Sequence, residues 1–106
     1  MEDVAEFISI PKSGDDSRFG VIVKGSSMSP RVNPGDIVIV SQSAEVMSGD
    51  LAIVLWNDGE NALRTVTYSG DNVVLSSTDS AKYPPQIVSK QTIHKLLRVV
   101  MRIEKF

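Results

Sequence analysis

The stretch Gly25-Ser26-Ser27-Met28-Ser29-Pro30-Arg31-Val32-Asn33-Pro34-Gly35-Asp36 limits what this chain can fold into more than any other. It holds three serines and two prolines. Proline removes a backbone donor and fixes φ, so neither a long helix nor a central strand can run through it. The backbone has to turn here, between Phe19, Val21 and Val23 on one side and Ile37, Val38, Ile39 and Val40 on the other. A turn pinned at both ends is a good place for a reactive hydroxyl, and Ser27 is the candidate nucleophile position. A serine becomes a nucleophile only when a base takes its proton and N–H groups receive the oxyanion. The turn offers the N–H of Ser27 itself and the backbone N–H of Met28 as those donors.

Composition removes much of the remaining chemistry. With no cysteine and one histidine, thiol nucleophiles, thiolate zinc sites and clustered-histidine metal sites are excluded, and no cofactor or metal is expected. No apolar run approaches the length of a membrane span, and the acidic start Met1-Glu2-Asp3 is unlike a secretory signal, so a cytoplasmic protein with no membrane partner is expected. The net charge of −2 gives no general attraction to nucleic acid. If the protein acts on DNA, a separate domain reads it.

The rest of the chain reads as β-structure. Residues 4–10 and the alternation from Phe19 to Val23 form a hairpin across the polar cluster 12–17. Gly35-Asp36-Ile37-Val38-Ile39-Val40 and Gly49-Asp50-Leu51-Ala52-Ile53-Val54 repeat one phrase at an offset of 14 residues (49 − 35). Two copies are too few for a solenoid and fit two strands of one sheet, each begun by a tight Gly-Asp turn. Asp58-Gly59 marks the next hairpin, with 62–68 returning and Arg64 in mid-strand. Ser69-Gly70-Asp71-Asn72 turns into Val73-Val74-Leu75, giving a meander, and Tyr83-Pro84-Pro85 stiffens a loop. In the last strand, alternation puts Leu97, Val99, Met101 and Ile103 on one face and Arg98, Val100, Arg102 and Glu104 on the other. The fold class is therefore mainly β.

The base for Ser27 is the open question. His94 is the only imidazole and reads as a structural or surface residue at the start of a strand, which leaves a serine–lysine arrangement. At this point Gly25-Ser26-Ser27-Met28-Ser29-Pro30, followed by Gly35-Asp36 and Gly49-Asp50, resembles the Gly-x-Ser-Met-x-Pro…Gly-Asp signature of the LexA-like S24 peptidase family. That family includes the C-terminal domains of LexA and of lambda-type phage repressors, and the UmuD proteins. The resemblance runs from Phe7 to Ile103. It implies a compact domain of short antiparallel strands and hairpins, β-clip-like, with Ser27 as the nucleophile of self-cleavage and a mid-strand lysine as the base. The lysine position falls on Arg64, 37 residues after Ser27 (64 − 27). Arginine stays protonated and cannot accept the serine's proton. If the register slips by one, Leu63 takes the lysine's place, so both registers lack the base.

The sequence also has none of the Ala-Gly or Cys-Gly bonds that family members cut. The resemblance therefore implies one S24-like domain over 1–106, with any N-terminal helix-turn-helix domain and linker absent. It would serve a LexA-like or phage-type repressor as a dimerisation and regulatory module, binding DNA only through the missing domain and answering to a recombinase-type inducer in an SOS-like response. The C-terminal strand region, 97–106, and the loop at Tyr83-Pro84-Pro85 are the expected homodimer contacts. The alternative is an active serine peptidase that uses Ser27 with a displaced base, Lys24 or Lys82. A third is that Arg64 replaces a natural lysine.

Overall fold

The computed structural model describes residues 5–8, 18–25, 28–78 and 82–103. Among these residues eight strands form one antiparallel sheet: β1 (Ala5–Ile8), β2 (Arg18–Val23), β3 (Ile37–Ser41), β4 (Leu51–Trp56), β5 (Asn61–Ser69), β6 (Asn72–Ser76), β7 (Gln86–Ser89) and β8 (Ile93–Ile103). Their order is β1-β2-β3-β8-β4-β5-β6-β7. Among the described residues the only helical element is a 3-10 turn, Lys90–Thr92, capped by the Ser89 hydroxyl. The mainly β expectation is met, as are the β1–β2 hairpin and the β4-β5-β6 meander. β7 adds a further antiparallel strand after the two prolines.

The order explains the repeated phrase. β3 and β4, each preceded by Gly-Asp, lie on the two sides of β8 and both run antiparallel to it. They are two strands of one sheet, separated by the C-terminal strand. β-Branched residues dominate β3, while β4 and β8 add leucines to theirs, and these side chains make the centre of the core. Val38, Val40, Ile53 and Val54 are fully buried, with Leu63, Val66 and Leu97 packed beside them. β1 also approaches β5, so the sheet curls towards itself.

β8 departs from simple alternation at two places. Against β3, Ile39 faces Met101 and Val40 faces Val99, so two neighbouring residues span three and Val100 is the extra one. Against β4, Leu55 faces Lys95 and Trp56 faces Ile93, leaving His94 as a second extra residue. The first bulge corrects the face assignment made from alternation. An inserted residue reverses the phase of everything after it, so Met101 and Ile103 leave the side of Val99 and become 56% and 45% exposed, whereas Leu97 is 2% exposed. Arg102 moves to the side of Val99.

The turns that start β3 and β4 are built alike. Gly35 and Gly49 both have positive φ, +94° and +95°, a conformation that glycine alone adopts without strain. Nothing lies within 4 Å of where a Cβ on Gly49 would stand. Gly49→Ala is therefore expected to cost only the backbone term, about 1 kcal/mol. Urea unfolding checks this, and an unchanged midpoint would show that the turn relaxes freely.

Candidate functional site

The serine turn is held at both ends by one residue of β2. Val23 donates its N–H to the Asp36 carbonyl at 2.9 Å and accepts the Gly35 N–H at 2.7 Å. Inside the turn Val32 donates to the Met28 carbonyl at 2.9 Å, and both side chains are buried. The Ser29–Pro30 peptide is cis. The Asp36 carboxylate, 2% exposed, accepts the Asn33 N–H at 2.9 Å, while the Asp36 N–H donates to the Asn33 carbonyl at 3.0 Å. This reciprocal clasp fixes the distance between Met28 and the start of β3.

The second Gly-Asp turn repeats the clasp bond for bond. Asp50 accepts the Met47 N–H at 2.8 Å and donates to the Met47 carbonyl at 3.0 Å. Val66 of β5 takes the part that Val23 plays in the first, at 2.7 and 2.9 Å. Each carboxylate also meets an arginine of β8: Arg102 Nη1 lies 3.5 Å from Asp36 Oδ2, and Arg98 Nε lies 3.3 Å from Asp50 Oδ2. Reading the sequence found the repeat and noted the arginines but did not join them. The available signal was the spacing, two arginines four residues apart facing two aspartates.

Ser27 lies outside the described residues. Met28, the candidate oxyanion donor, is 2% exposed, and among the described residues its N–H has no acceptor. Arg64 stands in β5 opposite Ala52 of β4, which on its other side stands opposite Arg98. It shares its face with the buried Ala62 and Val66, is itself half-buried, and donates from Nη1 to the Leu63 carbonyl at 2.8 Å. The turn and this part of β5 are laced together through the loop after β6. Thr65 pairs with Ser76, and Thr78, two residues further on, donates its hydroxyl to the Ser29 carbonyl. The pairing ends at Thr65 and Ser76, so Arg64 is the first residue of β5 beyond it on the side of Thr78. The serine turn and Arg64 therefore share one end of the β5–β6 pair.

The other bases considered are all exposed. Lys24 is exposed at the end of β2, Lys82 is exposed with its ammonium 5.6 Å from the centre of the Tyr83 ring, and His94 is exposed at the second bulge of β8. Among the described residues no group of acidic and histidine side chains could hold a metal ion.

The peptidase S24-like family matches residues 2–100. The chain belongs to that family. This S24-like chain is 26% identical over 97 residues to a LexA repressor of Oceanobacillus iheyensis, covering 88% of the chain and 46% of that protein. It is 31% identical over 84 residues to a LexA repressor of Cereibacter sphaeroides, covering 74% and 37%. With a LexA repressor of Carboxydothermus hydrogenoformans it shares 29% identity over 96 residues, covering 87% and 47%. The chain thus spans less than half the length of each of these relatives. No helix among the described residues is long and apolar enough to cross a membrane.

Proposed function

We propose that this S24-like domain is the C-terminal dimerisation and regulatory module of a LexA-like transcriptional repressor, in which the self-cleavage site has kept its serine turn and lost its base. The match over residues 2–100 to the S24-like family, together with Arg64 beside the turn, carries this reading. Ser27 holds the nucleophile position, with the Met28 N–H as oxyanion donor. Arg64 holds the place of the lysine and, always protonated, takes no proton from the serine. DNA is reached through a separate N-terminal domain, a recombinase-type inducer is the signal, and the setting is cytoplasmic.

Pairing of two domains would set two DNA-reading domains on paired half-sites. The phase reversal at Val100 supports a contact through the C-terminal strand region, because it turns Met101 and Ile103 outwards side by side. Isolated exposed apolar residues are ordinary, but two on one strand face make the start of a patch. Met101→Glu is expected to weaken self-association roughly tenfold in sedimentation velocity, as a charge in a contact centre typically does. Ser27→Ala should leave it unchanged. A Met101→Glu protein that associates like the parent would move the contact elsewhere, the loop at Tyr83-Pro84-Pro85 first.

A further inference from the structure

β8 is paired along its whole length, but never on both sides over its last part. β4 pairs with it from Ile93 to Arg98, and β3 from Arg98 to Ile103. On the β4 side, residues 99–103 have no strand partner among the described residues. A groove of about 410 Å³ lies against that edge. It is lined by Val99, Val100 and Met101 of β8, by Gly49 and Leu51 at the entry to β4, and by Val32 of the serine turn.

The charged groups around the groove are of mainly one sign. Arg31, Arg98 and Arg102 line it with Asp50. The Asp36 carboxylate, which meets Arg102, is 2% exposed and turned into its own turn. Arg98 and Arg102 keep side-chain exposures of 43% and 36% while bonded to their aspartates. Arg31 is exposed and has no ion-pair partner among the described residues. A chain with a net charge of −2 therefore presents a locally positive groove beside an unpaired strand edge.

We infer that this edge binds an extended acidic peptide, which adds as a strand beside Val99–Met101 and sets its carboxylates against Arg31, Arg98 and Arg102. Main-chain bonding along the edge supplies affinity, and the arginines select acidic side chains. A phosphodiester strand would satisfy the charge but offers no alternating N–H and C=O groups to the edge. Met101 lines this groove as well as the outward face it shares with Ile103, so self-association is followed beside peptide binding.

The probe is a fluorescein-labelled hexapeptide of alternating glutamate and valine, titrated with this chain and followed by anisotropy. Saturable binding is expected, weakening as salt rises from about 50 mM to about 500 mM because the charges are exposed. Arg31→Glu should weaken it roughly tenfold, since the substitution reverses a rim charge that enters no ion pair among the described residues. The same peptide N-methylated at alternate amides should not bind, and this control alters nothing in the protein. Equal binding of the N-methylated peptide, of a lysine–valine peptide, or by the Arg31→Glu protein would overturn strand addition. So would tighter binding of a single-stranded oligonucleotide. Loss of dimer in proportion to bound peptide would show instead that a second copy owns the groove.

Discussion

Replacing Arg64 with lysine is expected to turn on cleavage of a linker peptide containing Ala-Gly, by about 10²- to 10⁴-fold over the parent, the usual contribution of a positioned general base. The guanidinium cannot lose a proton in the accessible pH range, whereas an ammonium placed among Ala52, Ala62 and Val66 is desolvated towards its neutral form. In the variant the neutral amine takes the Ser27 proton as the serine oxygen attacks the Ala carbonyl. The resulting ammonium returns that proton to the leaving amine as the C–N bond breaks, and water then releases the acyl group with the amine again as base. The rate should therefore rise with pH between about 7 and 10 and level off once the lysine is neutral. Mass spectrometry of the peptide reads the outcome, and adding Ser27→Ala to the variant should remove the activity. Cleavage by the parent would show that another base serves Ser27. No cleavage by a folded variant would remove the claim that the rest of the site survives.

The pH range of that experiment is compatible with the second Gly-Asp turn. The Tyr68 hydroxyl donates to the Val46 carbonyl at 2.8 Å. Burial first, and then the carboxylates of Glu45 and Asp50, push its pKa above the usual 10.0. A group raised in the folded state contributes its stability fully below the unfolded value and loses it only as pH climbs through the folded one. That loss begins above the assay range, so the Tyr68 bond to Val46 is kept while the lysine titrates.

How much of this could be read beforehand follows the range of each interaction. The Asp58-Gly59 hairpin, the meander and the two Gly-Asp strands are set by neighbours in sequence, and the structure has them where alternation and turn residues put them. Arg64 lies in mid-strand, as the Asp58-Gly59 hairpin predicts, while its place at the lysine position comes from the family resemblance. The bulges at His94 and Val100 have no such mark: each is the answer of one strand to two different partners. Alternation was followed past Val100 and so assigned Met101, Arg102 and Ile103 to the wrong sides. β7 was missed because it is four residues long, follows two prolines and buries little of its side chains. The Asp36–Arg102 pair joins residues 66 apart, and only the strand order brings them together.

Those paired clasps make an internal comparison in which geometry is constant and burial is not. Asp36→Ala is expected to cost about 2 to 3 kcal/mol, near the top of the range for a buried charge-assisted bond. It removes an acceptor that is 2% exposed, strands the Asn33 N–H and breaks the Asp36–Arg102 pair. Asp50→Ala breaks the corresponding bonds, but its side chain is 24% exposed and Arg98 is 43% exposed, so water replaces much of what is lost and about 1 kcal/mol is expected. Arg102→Ala should cost less than Asp36→Ala, because Asp36 still holds the Asn33 N–H. Urea unfolding followed by the fluorescence of the single tryptophan, Trp56, measures all three. Equal losses at Asp36 and Asp50 would mean that turn geometry, not burial, sets the strength of the clasp. A larger loss at Asp36 would mean that the serine turn is secured chiefly from beneath, by a carboxylate shared between its own backbone and the C-terminal strand. In that case the turn keeps its shape as long as the domain is folded, whatever residue stands at position 64.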